Sequence, residues 1–310
     1  MNIQEIFKVR KRAGEVGIEI ECEGQNLMMP DLYWDAVHDG SLRGLSIEYV
    51  LKNPAKRKEI SKVLNYLYKS WKDHGAVIND SPRTSVHIHV NVQELEVRNV
   101  IAFYCLYNIL EELLVKFCGK GREGNLFCLT STDANFALDL LCNIVARQEW
   151  YKFKDRNFRY SAVNFNSIPK FGSLEFRTMR GTRDIALIKR WINMLLKIKD
   201  YSLQFKQPAN IIEHLSARGG RQFVNDVMEE YAVSLLAYPD INNIIRQGVW
   251  RIQELAFIPI TDKKPRQVIK AERAWAEEGP MMAGGDLDID HEFRMMEAGR
   301  PIPPLRGAQR

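Results

Sequence analysis

Several features that would place a chain in a special class are missing from this 310-residue sequence. It has only five cysteines and no C-x-x-C pair, so it offers no thiolate set for structural zinc. Its most apolar stretch, residues 101–118, is interrupted by Asn108, Glu111, Glu112 and Lys116, which predicts a buried helix instead of a membrane span. The 44 basic residues exceed the 39 acidic ones by five without a long basic block, so we expect no specific nucleic-acid binding.

The cysteines and the first residues also bear on location. Five is an odd number, and the cysteines lie mostly in apolar segments, as buried free thiols do. Residues 1–12 lack the apolar core of a secretion signal. We therefore expect a reducing compartment, the cytoplasm, and no membrane association.

An acidic strand stands out among the segments that are present. Residues 17–24 (GIEIECEG) predict a β-strand, which places Glu19, Glu21 and Glu23 on one face, with neighbours roughly 7 Å apart. Like charges in a row repel, so a cation should lie among them, and a divalent ion with oxygen ligands fits best. The alternative is an edge strand whose acidic face lies in water.

Three more segments predict strands whose polar face carries metal-binding or phosphate-binding residue types. They are residues 45–50 with Glu48, residues 85–92 with His87, His89 and Asn91, and residues 172–180 with Glu175 and Arg177. If these strands are neighbours, their acids and imidazoles converge, and such a set suits Mg²⁺ or Mn²⁺. Arginines near the last strand would suit phosphate oxygens. These are Arg159, Arg177, Arg180 and Arg183.

Helical periodicity fills the intervals between the predicted strands. Helices are predicted over about 56–74, 97–118, 131–147 and 185–205, with two or three more between 211 and 258. Asp39-Gly40 predicts a tight turn before the strand that carries Glu48. The fold class is therefore α+β, with a core over 1–205, a helical extension packed on it over 206–260, and a charged, Pro/Gly-rich tail over 261–310 that we expect to be partly disordered.

The order of several short motifs carries a family resemblance. The motifs are E-x-E at 19–21, D-G-S-L at 39–42, H-x-H-V-N at 87–91, R-x-x-N-x-F-C at 122–128, R-Y-x-x-x-N at 159–164, L-E-F-R at 174–177 and R-G-T at 180–182. In this order over residues 14–200 they resemble the amidoligase branch of the glutamine-synthetase-like carboxylate-amine ligases. The chain departs from that pattern at Ser85-Val86, in place of a glycine-containing lead-in, and after Val50, where Ser-Pro is absent.

The resemblance implies a curved antiparallel sheet with helices packed on its convex side. Its concave face would bind ATP and two or more Mg²⁺ or Mn²⁺ ions, and the activity would be ATP-dependent formation of an amide or isopeptide bond through an acyl phosphate. The metal ligands it implies are Glu19, Glu21, Glu48, His87 and Glu175.

The resemblance also implies roles for other polar residues. Arg177 would contact the transferred phosphate, and Arg159 the phosphate or the acyl-phosphate intermediate. Apart from the resemblance, an acid such as Asp39 could accept the proton of the incoming ammonium group. The nucleotide and phosphate site would include Arg122, Arg180, His89 and Asn91, where Arg122 could instead hold a substrate carboxylate and His89 could instead ligate metal.

Two other functions stay open on the sequence. One is a divalent-metal phosphoesterase or nuclease that uses His87, His89 and the acids, and the other is a non-catalytic relative that binds nucleotide. For the ligase, the carboxylate and amine partners could be small molecules or protein side chains, and a homo-oligomer is left open.

Overall fold

An open antiparallel sheet organises the computed structural model, which describes residues 1–28 and 32–260. The strand order is β2-β3-β1-β5-β7-β6, and the short β4 pairs with the end of β1. All of these pairs are antiparallel. The strands are β1 (Val16–Gln25), β2 (Trp34–Val37), β3 (Ser46–Leu51), β4 (Val77–Ile78), β5 (Ser85–Asn91), β6 (Val163–Asn164) and β7 (Ser173–Arg180).

Alternation along the central strands separates an apolar face from a polar face. On β1 the side chains of Val16, Ile18 and Ile20 are buried in the hydrophobic core, while Glu19 and Glu21 project to the other side. The apolar face of the sheet needs a covering layer, which helices provide. The α-helices are α1 (Ile3–Phe7), α2 (Ile60–Asp73), α3 (Val97–Cys118), α4 (Asn135–Arg147), α5 (Ser167–Phe171), α6 (Ile185–Ser202), α7 (Ala209–Arg218), α8 (Gly220–Met228), α9 (Ala232–Leu236) and α10 (Ile241–Phe257).

Helix α3 packs on the apolar face of β7. The rings of Phe103 and Tyr107 lie 5.3 and 5.0 Å from that of Phe176, and the Tyr107 hydroxyl lies 2.8 Å from Thr178 Oγ1. Helix α10 packs against the other side of α3, where a Cβ on Gly248 would lie 2.5 Å from the Ile109 carbonyl oxygen. Only glycine permits this approach, so a near-continuously apolar α3 is buried between sheet and helix.

The main predicted elements are confirmed. The strands at 17–24, 85–92 and 172–180 and the helices beginning near 56, 97 and 185 are all present, and Asp184 caps α6 by accepting from Leu187 N at 3.0 Å. The five cysteines are free and buried, as predicted. In residues 1–28 and 32–260 no helix combines the length and apolar composition needed to cross a membrane.

Other predictions differ from the structure. The tight turn at Asp39-Gly40 is present, since Leu42 N donates to Asp39 O at 3.3 Å, but it lies within a longer connection between β2 and β3, residues 38–45. The helix predicted to follow an N-cap region at 131–133 is present and ends at Arg147, but its N-cap is Ala134 and it begins at Asn135. Four α-helices, not two or three, occupy residues 209–257. The boundary at residue 205 stays a prediction, and the predicted tail at 261–310 lies outside the described residues.

Candidate functional site

Strand register brings the predicted acids and histidines to one face of the sheet. Antiparallel pairing sets residues on neighbouring strands directly opposite each other, with side chains on the same side. Four strands, β3, β1, β5 and β7, therefore contribute to a single polar surface, as the sequence predicted. The register pairs are Glu19 with His87, Glu21 with Glu48, and His89 with Glu175.

The ligand atoms on this surface lie close enough together to hold cations. Three overlapping groups of three residues have one oxygen or nitrogen each within 4.8 Å of the others. Carboxylates with one or two imidazoles are a donor set that fits Mg²⁺ or Mn²⁺. The groups are Glu19, Glu48 and His87; Glu19, His89 and Glu175; and Glu21, Asp39 and Glu48.

Glu19 links the two histidines. Its Oε2 lies 3.2 Å from His87 Nδ1, and its Oε1 lies 3.1 Å from His89 Nε2. The same Nδ1 of His87 lies 3.6 Å from Glu175 Oε1. Glu19, like Glu48, belongs to two of the three ligand groups, and its carboxylate contacts both histidines of the cluster.

Two side chains, one on β7 and one on β6, donate hydrogen bonds to the carboxylate of Glu175. Arg177 Nη1 donates to Oε1 at 2.5 Å, and Asn164 Nδ2 donates to Oε2 at 2.8 Å. Burial raises the pKa of Glu175, but the Arg177 guanidinium and the two imidazoles outweigh it, so the pKa lies below its ordinary value. The carboxylate is therefore ionised and fixed in place.

The other charged groups of the cluster respond to burial in opposite ways. Burial raises the pKa of Glu19, but the charges and hydrogen bonds of His89 and His87 outweigh it and hold that pKa well below its usual range. Burial lowers the pKa of His89, yet the adjacent Glu19 carboxylate raises it overall. For Glu48, burial and the charges of Glu19, Glu21 and Asp39 outweigh the charge of Arg177 and raise its pKa to about 8. A bound cation would relieve this repulsion.

Two further acids on β1 are fixed by hydrogen bonds. Glu21 Oε2 accepts from Ser85 N at 2.8 Å and from Ser85 Oγ at 2.7 Å. Glu23, whose solvation the sequence left open, is buried and accepts from Arg43 N at 2.8 Å. Glu23 therefore anchors the β2–β3 connection and belongs to none of the three ligand groups.

A β-bulge distorts β7 next to His87. Val86 pairs with Met179 and Ile88 with Phe176, so two residues, Arg177 and Thr178, face the single residue His87. The bulge turns Thr178 toward Tyr107 in the core, while Arg177 keeps to the polar face beside Glu175.

Arg122 binds the two bulged carbonyl groups. Its Nε donates to Thr178 O at 2.9 Å and its Nη2 to Arg177 O at 2.8 Å, and only 1% of the residue is exposed. Sequence reasoning assigned Arg122 to phosphate or a substrate carboxylate, and the structure uses it on the backbone of β7. Binding of phosphate or a substrate carboxylate by Arg122 stays a prediction.

The remaining predicted site residues lie at the margins. Arg180 Nη1 donates to Cys118 O at 2.7 Å, at the end of α3, and Asn91 Nδ2 donates to Gly14 O at 2.7 Å. Arg159 is exposed beside the Tyr160 ring. Asp39 is part of a ligand group, and its Oδ1 accepts from Ser41 N at 2.6 Å.

A small cavity opens beside the ligand groups, at the end of the surface where Glu19 and His89 lie. Its volume is about 170 Å³. Its walls combine apolar side chains with cationic and amide groups. The lining includes Arg12, Glu19, Val50, Lys52, His89, Asn91 and Phe171.

Sequence reasoning assigned no role to three polar residues that contact the cluster. Ser85 contacts Glu21 and His87, Ser173 Oγ lies 3.2 Å from His89 Nδ1, and Asn164 donates to Glu175. Ser85 and Ser173 lie on the polar faces of their strands. The alternation of polar and apolar residues that identified the histidines and Glu175 therefore identifies these two serines as well. Asn164 ends the R-Y-x-x-x-N motif.

Comparison with known proteins agrees with the motifs. A family model described as "Putative amidoligase enzyme" matches residues 50–199. This segment belongs to the amidoligase family. It carries His87, His89, Glu175 and Arg177, whereas the amidoligase match begins after Glu48. A search of curated proteins found no match to the chain.

Proposed function

We propose that the protein is an ATP-dependent carboxylate-amine ligase that uses divalent metal ions and forms an amide or isopeptide bond. The observation that carries the proposal is the convergence of three ligand groups on one sheet face, within a chain that matches the amidoligase family over 150 residues, 50 to 199. Such a surface is costly to maintain without cations, since it raises the pKa of Glu48 to about 8.

The proposed reaction joins an acid and an amine at the expense of ATP. The substrate carboxylate takes the γ-phosphoryl group, with ADP leaving, and the amine then attacks the acyl carbon and displaces phosphate. Divalent ions would neutralise the phosphate oxygens during the transfer. Mg²⁺ or Mn²⁺ would be held by Glu19, Glu21, Glu48, His87 and Glu175.

Three residues of the chain have proposed roles in the chemistry. Arg177 lies beside Glu175 on the polar face with its side chain 17% exposed, and we propose that it binds a phosphate oxygen. Asp39, at the other end of the surface, takes the proton that the ammonium group loses. Arg159 is exposed, and its proposed role is contact with phosphate or the acyl-phosphate intermediate.

The cavity beside Glu19 and His89 is the proposed position of the nucleotide. A lining that combines apolar side chains with cationic and amide groups suits a base and a sugar, and phosphates would then extend toward the acids. The proposal also includes the glutamine-synthetase-like form of the sheet, since an open antiparallel sheet with a polar face agrees with it. A cytoplasmic location is proposed with it.

The test is turnover with pooled substrates. Purified protein with ATP and Mg²⁺ is mixed with pools of acids and amines, and both ADP and new amides are measured by mass spectrometry. ADP is expected only when acid and amine are both present. Glu175→Gln should abolish the release of ADP. Glu15→Gln, which changes an exposed acid paired with Arg57, should not.

Other results would support other functions. Cleavage of a phosphodiester without ATP would favour the metal-dependent phosphoesterase or nuclease. ATP binding without consumption in any pool would favour a non-catalytic relative. Absence of both ATP binding and turnover would contradict the ligase proposal.

A further inference from the structure

Asn164 lies opposite Glu175 at the edge of the sheet. Strand β6 has two residues and comes last in the strand order, and its Asn164 pairs with Glu175 of β7. On the other side of β7, His89 of β5 pairs with the same Glu175. Asn164 and Glu175 are each only 6% exposed. The carboxylate of Glu175 therefore lies between the candidate metal cluster on one side and a buried amide on the other.

The orientation of the Asn164 amide is fixed by the backbone. Asn166 N donates to Asn164 Oδ1 at 2.9 Å, and a backbone N–H can only donate, so the amide oxygen faces Asn166. The amide nitrogen, Nδ2, therefore faces Glu175 and donates to its Oε2 at 2.8 Å. An amide nitrogen does not accept hydrogen bonds, so the direction of this bond does not depend on the charge of Glu175.

The other oxygen of Glu175 faces the cluster. Oε1 lies 3.6 Å from His87 Nδ1 and accepts from Arg177 Nη1 at 2.5 Å. A carboxylate oxygen has two lone pairs, so Oε1 can accept from Arg177 and still face the cluster. Arginine and carboxylate groups often pair as a fork, in which two N–H groups bind both oxygens. Among residues 1–28 and 32–260, Arg177 binds one oxygen of Glu175, because Oε2 is already bound to Asn164.

We propose that Asn164 is a positioning residue that keeps Oε2 of Glu175 away from Arg177 and so leaves Oε1 for a metal ion. The inference rests on the metal centre of the proposed function. Asn164 belongs to none of the three ligand groups and acts through Glu175. Without the amide, Arg177 would bind both oxygens as a fork and turn the carboxylate away from His87 and Glu19.

The test is a set of Mn²⁺ titrations on four full-length proteins: wild type, Asn164→Ala, Arg177→Met and the double variant. Asn164→Ala should bind Mn²⁺ about 10-fold or more weakly than wild type. In the Arg177→Met background the same change should cost less than about 3-fold, because no guanidinium competes for the carboxylate. A purely structural role of Asn164 would weaken binding equally in both backgrounds. Asn143→Ala, which removes an exposed amide that donates to Asp139 O, is the control and should bind like wild type.

A second measurement needs no variant. In a crystal structure of the wild type with Mn²⁺, Glu175 should bind the ion through Oε1 alone, while Oε2 stays on Asn164. Ligation through Oε2, an unchanged affinity in Asn164→Ala, or equal losses in the two backgrounds would overturn the inference and leave the metal centre standing. If the wild type binds no Mn²⁺, the metal centre of the proposed function fails, and the inference fails with it.

Discussion

Arg122 Nη2 donates to the carbonyl oxygen of Arg177 at 2.8 Å, across 55 positions of the sequence. The bond fixes the bulge that directs the Arg177 side chain toward Glu175. A residue outside the cluster thus supports its geometry through the backbone of β7.

Removal of this support should destabilise the fold. Arg122→Met leaves two buried carbonyl groups without donors, so we expect the free energy of unfolding to fall by about 2–4 kcal/mol in urea titrations. Arg246→Met, a change on an exposed face of α10, is the matched control and should leave stability unchanged. An Arg122→Met protein as stable as the control would show that the bulge does not depend on the guanidinium.

Glu48 should make the metal-free protein less stable as the pH rises. Burial and the charges of Glu19, Glu21 and Asp39 raise its pKa to about 8 from an ordinary 4.5. The folded state therefore holds a proton that the unfolded state releases, and this contribution to stability is complete below pH 4.5 and is lost as the pH rises through about 8. Glu48→Gln, which stays neutral, should raise the melting temperature of metal-free protein at about pH 8.5 and much less at about pH 5.

The measurement is a thermal melt of both proteins in chelator across this pH range. An equal effect of Glu48→Gln at both ends would mean that Glu48 titrates normally. With metal present, the stability of the wild type should instead increase as the pH rises, because the ions require the ionised carboxylate and so bind more tightly at higher pH.

Glu19 should be a sensitive ligand position, because it belongs to two of the three ligand groups and contacts both His87 and His89. Glu19→Gln keeps the side-chain shape but removes the charge, and we expect Mn²⁺ affinity to fall at least about 100-fold in calorimetric titrations. Glu15→Gln on the same segment, outside the ligand groups, should bind like wild type. Equal affinities in the two variants would locate the metal elsewhere.

The sequence predicted the faces of the strands but not their distant contacts. Alternation along β1, β5 and β7 identified Glu19, His87 and Glu175, because side-chain direction is a local property of a strand. The bulge at Arg177 and Thr178 and its support by Arg122 depend on pairing between distant segments, which no local pattern records.

The same distinction explains the other differences. The dipeptide Asp39-Gly40 predicts the tight turn that is present, but not the longer connection around it, in which Arg43 N donates to Glu23 of the distant β1. In the sequence Ser85 is only a departure from a glycine-containing motif, whereas its contact with Glu21 depends on the pairing of β1 with β5.

The central claim is that the acid-histidine face of the sheet binds divalent ions together with a nucleotide. The most direct test is a crystal structure with Mn²⁺ and a non-hydrolysable ATP analogue, in which anomalous scattering locates the manganese. We predict manganese peaks within the groups that contain Glu19, Glu48 and Glu175, with the phosphates of the analogue on the same face. An analogue bound elsewhere, or manganese absent from this face at saturating concentration, would contradict the account.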